Sequence, residues 1–309
     1  MTPTEHCTDP TAAERRDRFL SRRSVIEMRA RERAQALLDP GSFRELLGPF
    51  DRLESPWLPL QGIVPESDDG VVIARGELAG KPAVIMAIEG AFQGGSMGEV
   101  SASKIAAALR LARGDWESGK AILPVLLLET GGVRLQEANL GEAVVAEIHA
   151  EIIALRRHVP VIGVIHGMVG CFGGMSIAAG LCSYLVVLPQ ARLGLNGPEV
   201  IEQEAGIDEL DASDRRLIWS LMGGEQRYET GFADALIEDD AEQLRQAIRD
   251  LAAVAFPPGI APRRLTTTSA AWRRLIRQGR WTVPRCVGSG RKETGNERKR
   301  AIQARTDLV

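Results

Sequence analysis

The sequence predicts an α/β fold built on a buried, largely parallel sheet, and three observations carry that prediction. Apolar runs such as ILPVLLLET and VPVIGVIHG are continuous rather than alternating, as expected of strands covered on both faces. Each run ends in a glycine turn and is followed by a helical pattern, so strand, turn and helix repeat along the middle of the chain. With 309 residues the chain can bury one large core or two modest ones, and its 32 glycines suit a fold that turns sharply and often.

Residues 1–40 read as a polar, Arg-rich helical arm ending near Asp39-Pro40-Gly41. SFRELLGPFDRL, 42–53, reads as a short amphipathic helix stopped by Ser55-Pro56. VVIARGEL (71–78) and PAVIMAIEG (82–90) read as strands joined by Ala79-Gly80-Lys81, a hairpin signature. The second strand leads through Gly94-Gly95-Ser96-Met97-Gly98 into a helix over about 99–113, with Ile105, Ala108, Leu109 and Ala112 on one face. ILPVLLLET leads through Gly131-Gly132 to a long helix near 140–158. VPVIGVIHG leads through 169–174 to a short helix near 175–182, and YLVVLPQARLGL leads into Gly197-Pro198-Glu199 and a further helix. Residues 210–256 read as two helices separated by GGEQRYETGFADALIED, and beyond Phe256-Pro257-Pro258-Gly259 the periodicity ends. The organisation expected is a helical arm (1–40), one α/β domain (41–260) and a basic, partly disordered tail (261–309).

Composition narrows the function classes. The chain is 44% hydrophobic with a net charge of −3, and no apolar run approaches the roughly 18 residues of a membrane span. The N-terminus lacks the apolar stretch of a secretory signal, so a soluble, cytoplasmic protein is expected. Cys7, Cys171, Cys182 and Cys286 form no C-x-x-C pair, which speaks against a zinc ribbon; Cys171 and Cys182 read as reduced core thiols. No cluster of metal ligands stands out. From Arg263 to Val309 there are 13 Lys/Arg against 3 Asp/Glu, a net of +10, which leaves −13 on the rest. Such a tail either meets an acidic or phosphate-bearing partner or merely solvates itself; it carries no nucleic-acid-binding motif.

The glycine turns are where chemistry is expected. At the C-terminal end of a parallel strand, backbone N–H groups in such a turn face the ligand crevice, and a helix starting just beyond adds its dipole. Gly131-Gly132 and Gly173-Gly174 both occupy that place. Two N–H donors aimed at one oxygen form an oxyanion hole, each worth about 3–4 kcal/mol of transition-state stabilisation. Taken singly, doubled glycines more often serve as plain tight turns. Gly167–Gly170 and Gly94–Gly98 are off-pattern for G-x-G-x-x-G, and no Walker lysine follows either. Ser96 and Ser176 have no sequence-adjacent base. His149 and His158 read as surface or capping groups on the long helix; His166, which ends a strand beside the turn, reads as a packed, hydrogen-bonded residue, with reach into the site as the alternative. Glu129, Arg134, Gln136, Glu137, Asn196 and Glu199 are the polar residues nearest the turns, and either orient a substrate or satisfy loop backbone.

Four ordered runs go further. EGAFQGGSMGEVSASKI (89–105), LLLETGGVRLQEA (126–138), FGGMSIAAG (172–180) and ARLGLNGPEVIEQ (191–203) resemble the carboxyltransferase branch of the crotonase superfamily, over roughly residues 40–240. SFRELLGPF (42–50) and QGIVPESDDGVV (61–72) resemble the β-subunit family of biotin-independent malonate decarboxylases. The resemblance implies a crotonase-like spiral of repeated ββα units. It implies decarboxylation of a malonyl thioester, carried on the CoA-like prosthetic arm of an acyl-carrier protein, with no cofactor bound by this chain. The partners it implies are a γ subunit that completes the site, the carrier protein, and an α subunit that transfers acyl groups. It implies one enolate donor from Gly131, Gly132 or Val133 and another from Gly173 or Gly174. The substrate-facing set is then Gly94, Gly95, Ser96, Met97, Arg134, Met168, Val169, Phe172, Asn196 and Glu199; Glu199 stands where hydratases of the superfamily carry a catalytic acid. The alternative within enzymes is the carboxyltransferase β subunit of a biotin-dependent acyl-CoA carboxylase, and outside them a scaffold that binds acyl carriers.

Overall fold

The structure, a computed structural model, describes residues 16–17 and 20–253. The tail expected at 261–309 and most of the arm before Leu20 lie outside the described residues. Seven strands form one sheet in sequence order: β1 (Arg44–Leu46), β2 (Val71–Leu78), β3 (Lys81–Ile88), β4 (Leu123–Leu128), β5 (Ile162–Ile165), β6 (Tyr184–Val187) and β7 (Ala235–Leu236). β1–β2 and β2–β3 pair antiparallel, and every pair from β3 to β7 is parallel. The helices that bear on the sheet and site are α1 (Ala30–Leu37), α2 (Glu99–Glu117), α3 (Leu140–Leu155), α4 (Gly174–Leu181), α5 (Pro198–Ala205), α6 (Arg215–Met222), α7 (Gly224–Glu229) and α8 (Ala241–Ala253).

The sheet is covered on both faces, which is why its strands are continuously apolar. One core packs α2, α3 and α4 on Met86, Ile88, Leu126, Leu128 and Ile165; the other packs α1 and α8 on Ile85, Ala87, Val125, Leu127 and Val164. α3 buries Gly141, Val145, Ile148, Ile152 and Leu155, a stripe spaced by alternate fours and threes, as an amphipathic helix requires. In α8, Leu244 and Ile248 are fully buried one turn apart, and each contributes about 1.5–3 kcal/mol of transfer free energy.

The hairpin at 79–80 has φ +52° at Ala79 and +73° at Gly80, the doubly left-handed turn that matches strand twist. The Asp39 carboxylate accepts both N–H groups of that turn, at 3.0 and 2.8 Å, and those bonds, that from Gly80 first, hold its pKa below the ordinary carboxylate range.

Two expectations are corrected. Residues 42–53 are not a helix: Arg44–Leu46 pairs with Ile73–Arg75 as the edge strand β1, and only Pro49–Asp51 makes a 3-10 turn. The 223–239 separator is not plain loop, because it contains α7 and β7. The last part of the expected arm, α1, lies on the sheet with Ala30, Ala34 and Leu37 buried. Among the described residues no helix is long and apolar enough to cross a membrane.

Candidate active site

Beyond their C-terminal ends, the parallel strands continue as a second tier of hydrogen bonds between loops. Met97 N–H donates to Gly132 O at 2.8 Å and Arg134 N–H to Met97 O at 2.9 Å. Gly131 N–H donates to Gly94 O at 2.9 Å, Thr130 N–H to Gly170 O at 2.8 Å, and Phe172 N–H to Thr130 O at 3.0 Å. Gly173 N–H donates to Leu195 O at 2.7 Å. The loops after β3, β4, β5 and β6 are thereby tied into one surface.

On that surface the two doubled glycines touch. Gly132 has φ +113° and Gly173 φ +60°, conformations that side chains rarely adopt. A Cβ on Gly173 would stand 3.1 Å from Gly132 Cα and 3.7 Å from Val133 N. Most N–H groups of the two turns are already used: Gly131 and Gly173 as above, and Gly132 on Thr130 Oγ1 at 3.1 Å. Among the described residues the N–H groups of Val133 and Gly174 donate to nothing. Gly174 opens α4, so its N–H is one of the free donors of a helix start, and the dipole of that helix adds positive potential.

α3 supports this region at two points. A Cβ on Gly141 would stand 2.1 Å from Met97 O, and one on Gly174 would stand 2.9 Å from Val145 Cγ1. One turn further along, His149 Nε2 donates to Gly174 O at 2.8 Å, which fixes the proton on Nε2 in the neutral ring. His149 therefore caps, as expected of it, and what it caps is the glycine turn itself. His158 is an exposed residue stacked on Trp116, with ring centroids 3.8 Å apart. His166 is packed and fully buried, but the hydrogen bond expected for it is missing: neither ring nitrogen has a partner among the described residues.

The other expected site residues divide into those that face the turns' surface and those that lie beneath it. Gly94, Gly131, Met168, Asn196 and Glu199 are exposed, and Ser96, Val133, Val169, Gly173 and Gly174 are half-buried. Gly95 and Gly132 are buried backbone; a Cβ on Gly95 would stand 2.0 Å from Glu129 O. Glu199 makes one loose contact, 3.9 Å to Arg192.

Three residues expected to face a substrate lie beneath the surface instead. Arg134 is 1% exposed; its Nη1 bonds Asp69 Oδ1 at 2.7 Å and Glu137 Oε1 at 2.9 Å, and its Nη2 bonds Ser96 O at 3.0 Å. Two buried carboxylates and a carbonyl use up its guanidinium, so it braces the loops from below. Met97 belongs to the main core, and Phe172 to a smaller one with Leu210, Ile218 and Met222. Both are apolar side chains that pack because the loops carrying them are tied to the sheet.

Residues 94–98 have the spacing G-x-S-x-G, yet Ser96 Oγ is met by Arg134 Nε at 3.4 Å and by no histidine, which leaves it without an activating base. Cys171 and Cys182 are buried thiols, and burial pushes the Cys171 thiol up, as expected of core thiols. Among the described residues no three His, Cys, Asp or Glu side chains are grouped to hold a metal ion.

Parallel strands that end in paired, open amide donors define a crotonase-like α/β protein. The chain belongs to the carboxyl transferase domain family, whose profile matches residues 27–284. It is similar to a chain of the Pseudomonas malonate decarboxylase hetero-tetramer in complex with malonate: 55% identical, covering 90% of this chain and 96% of that one, with a TM-score of 0.79. It is 54% identical to a chain of the Pseudomonas malonate decarboxylase MdcD-MdcE hetero-dimer, covering 82% of this chain and 97% of that one, with a TM-score of 0.67. It is 44% identical over 237 residues to the malonyl-S-ACP:biotin-protein carboxyltransferase MADC of Malonomonas rubra, 74% of each chain. The family read from the four motifs is borne out.

Proposed function

We propose that the chain is a β-type malonate decarboxylase subunit that converts a malonyl thioester to an acetyl thioester without biotin. The observation that carries this is the pair of open N–H groups, Val133 and Gly174, on two turns in contact. When the carboxylate of a malonyl thioester leaves as CO₂, the electron pair of the broken C–C bond moves into the thioester and its oxygen becomes an enolate. Donors already in place for that oxygen lower the barrier, and they act more strongly on the enolate than on the ground-state carbonyl. A proton then adds to the α-carbon. Met168 and Val169 border the turns and shield the departing carboxylate from water.

The substrate is carried on an acyl-carrier arm, and the site is completed by a γ-type partner of the same fold; an α-type subunit supplies the acyl transfer. Exposed Leu135, Leu140, Ile177 and Leu195 on the segments that flank the turns support a covered rather than a free surface. The hetero-oligomeric relatives support it too. In the test, this chain is reconstituted with its partner subunit and malonyl carrier in the presence of avidin. Release of CO₂ with acetyl carrier as product is expected, and the chain alone is expected to be inactive. A requirement for a biotin protein would overturn the proposal in favour of carboxyl transfer.

That second reading has one observation behind it, the similarity to a protein named for transfer from malonyl-S-ACP to a biotin protein. Greater identity and coverage favour the first.

A further inference from the structure

Glu129 ends the apolar run of β4, directly before Thr130-Gly131-Gly132. It is 7% exposed, and three glycines make room for it. A Cβ on Gly167 would stand 1.7 Å from Glu129 Oε1, and one on Gly90 would stand 2.6 Å from its Cδ. One on Gly95 would meet its backbone carbonyl. The residue thus lies across the turns that follow β3 and β5 as well as its own. A lone carboxylate in such a place must be paired. Its partner comes from outside the strand–turn–helix repeat: Arg33 of α1, 4% exposed, donates from Nη1 to Glu129 Oε2 at 2.6 Å. The other guanidinium bonds go to Val25 O at 2.9 Å and Ile26 O at 3.2 Å. His166 faces the same carboxylate at 3.8 Å, beyond hydrogen-bond reach.

We propose that Glu129, neutralised by Arg33, is a positioning residue: it keys the turns after β3, β4 and β5 to one another and so fixes the direction of the Val133 N–H. Its effect on turnover rests on the decarboxylase reading above, whereas its effect on the turns does not. The pair joins α1 to the turn after β4, beside the Ala30 N–H that donates to Glu89 Oε2 at 3.0 Å just after β3.

The test uses the full chain, alone and reconstituted with its partner subunit. Glu129→Gln alone leaves Arg33 buried and unpaired, so the deciding variant is the double substitution Arg33→Met with Glu129→Gln, which removes both charges. In the folded double variant, hydrogen exchange at the amides of Thr130, Gly131 and Phe172 is expected to quicken at least about tenfold while that of α2 and α8 is unchanged. In the complex kcat is expected to fall on the order of 10- to 100-fold, with KM within about twofold. Arg33→Lys, which keeps the charge, is expected to recover most of both. A double variant that fails to fold, or whose exchange rises evenly along the chain, makes the pair a plain stabiliser and overturns the proposal, as does unchanged exchange at the turns. If the wild-type complex does not turn over malonyl carrier, the decarboxylase reading fails and the exchange measurement still decides this one.

Discussion

Arg134 and Asp69 form a fully buried ion pair, Nη1 to Oδ1 at 2.7 Å, and the same carboxylate accepts the Ser101 N–H in the first turn of α2. Glu137 repeats the pattern: Oε1 takes Arg134 at 2.9 Å, and Oε2 takes the Glu99 N–H at 2.7 Å. One guanidinium and one helix start thus share two carboxylates, whose charge is answered by Arg134 and by the α2 dipole. Replacing Arg134 by Met leaves both acids buried without their cation. A loss of about 3–5 kcal/mol is expected, read as a lower urea midpoint at unchanged m-value.

The open donors predict a steeper effect on chemistry than on folding. A Cβ at Gly174 would stand 2.9 Å from Cγ1 of Val145, which is buried and stiff at χ1, so Gly174→Val is made together with Val145→Ala, which clears that contact and lets the double variant fold and assemble. It crowds the space in front of the free N–H, and kcat should drop on the order of 10²–10³-fold. Steady-state turnover of malonyl carrier, with assembly followed by size exclusion, checks both halves. Unchanged turnover in an intact complex would remove the catalytic role of that turn.

His149 gives a third case. Its bond to Gly174 O needs a donor at the Nε2 position, which the amide of glutamine can supply. His149→Ala is expected to cost about 1 kcal/mol of stability and to lower kcat several-fold. His149→Gln should restore both, and equal kcat in the two variants would show that the bond does not orient the turn.

His166 predicts a pH dependence. Burial, and next the positive charge of Arg33, hold its pKa well below the ordinary value of 6.5, so it is uncharged in the folded chain. Below that value the unfolded imidazole binds a proton that the folded one refuses. Stability therefore falls as pH drops below about 6.5, by up to ~1.4 kcal/mol per pH unit from this group. Denaturant midpoints from pH 7 to pH 5 should fall more gently for His166→Gln than for the wild type.

The parts of the fold readable from sequence were those whose signal is local. The apolar stripe of 99–113 and the run Leu123–Leu128 announce a helix and a buried strand without reference to anything distant. Phe43, Leu46, Leu47 and Phe50 are spaced as on a helix, yet the free edge of β2 takes Arg44–Leu46 as a strand, and Leu47, at φ +55°, ends it. Pairing with a distant edge outweighs a weak local pattern. Similarly, Gly224 starts α7 because its backbone lies against Leu188, where a Cβ would come within 2.0 Å of the carbonyl, a contact no local window contains. At the site, the two glycine turns were legible, but the open N–H groups were not, since that depends on which neighbouring carbonyls take the rest. Arg134 looked like a ligand group because its acids are spread over residues 69 and 137. Arg33 could have been sought: a lone Glu closing an apolar strand calls for a buried cation, though nothing in the sequence says it lies 96 residues earlier.

The second tier of loop hydrogen bonds makes its outer rim a remote control. Gly173 is held by Leu195 O, and Cys171 by Arg192 O at 2.9 Å, so the 192–195 segment grips the far side of the turn that carries Gly174. Leu195 is exposed. A small molecule or engineered crosslink that pries this segment outward would slacken the Gly174 donor, without entering the cleft or competing with any thioester.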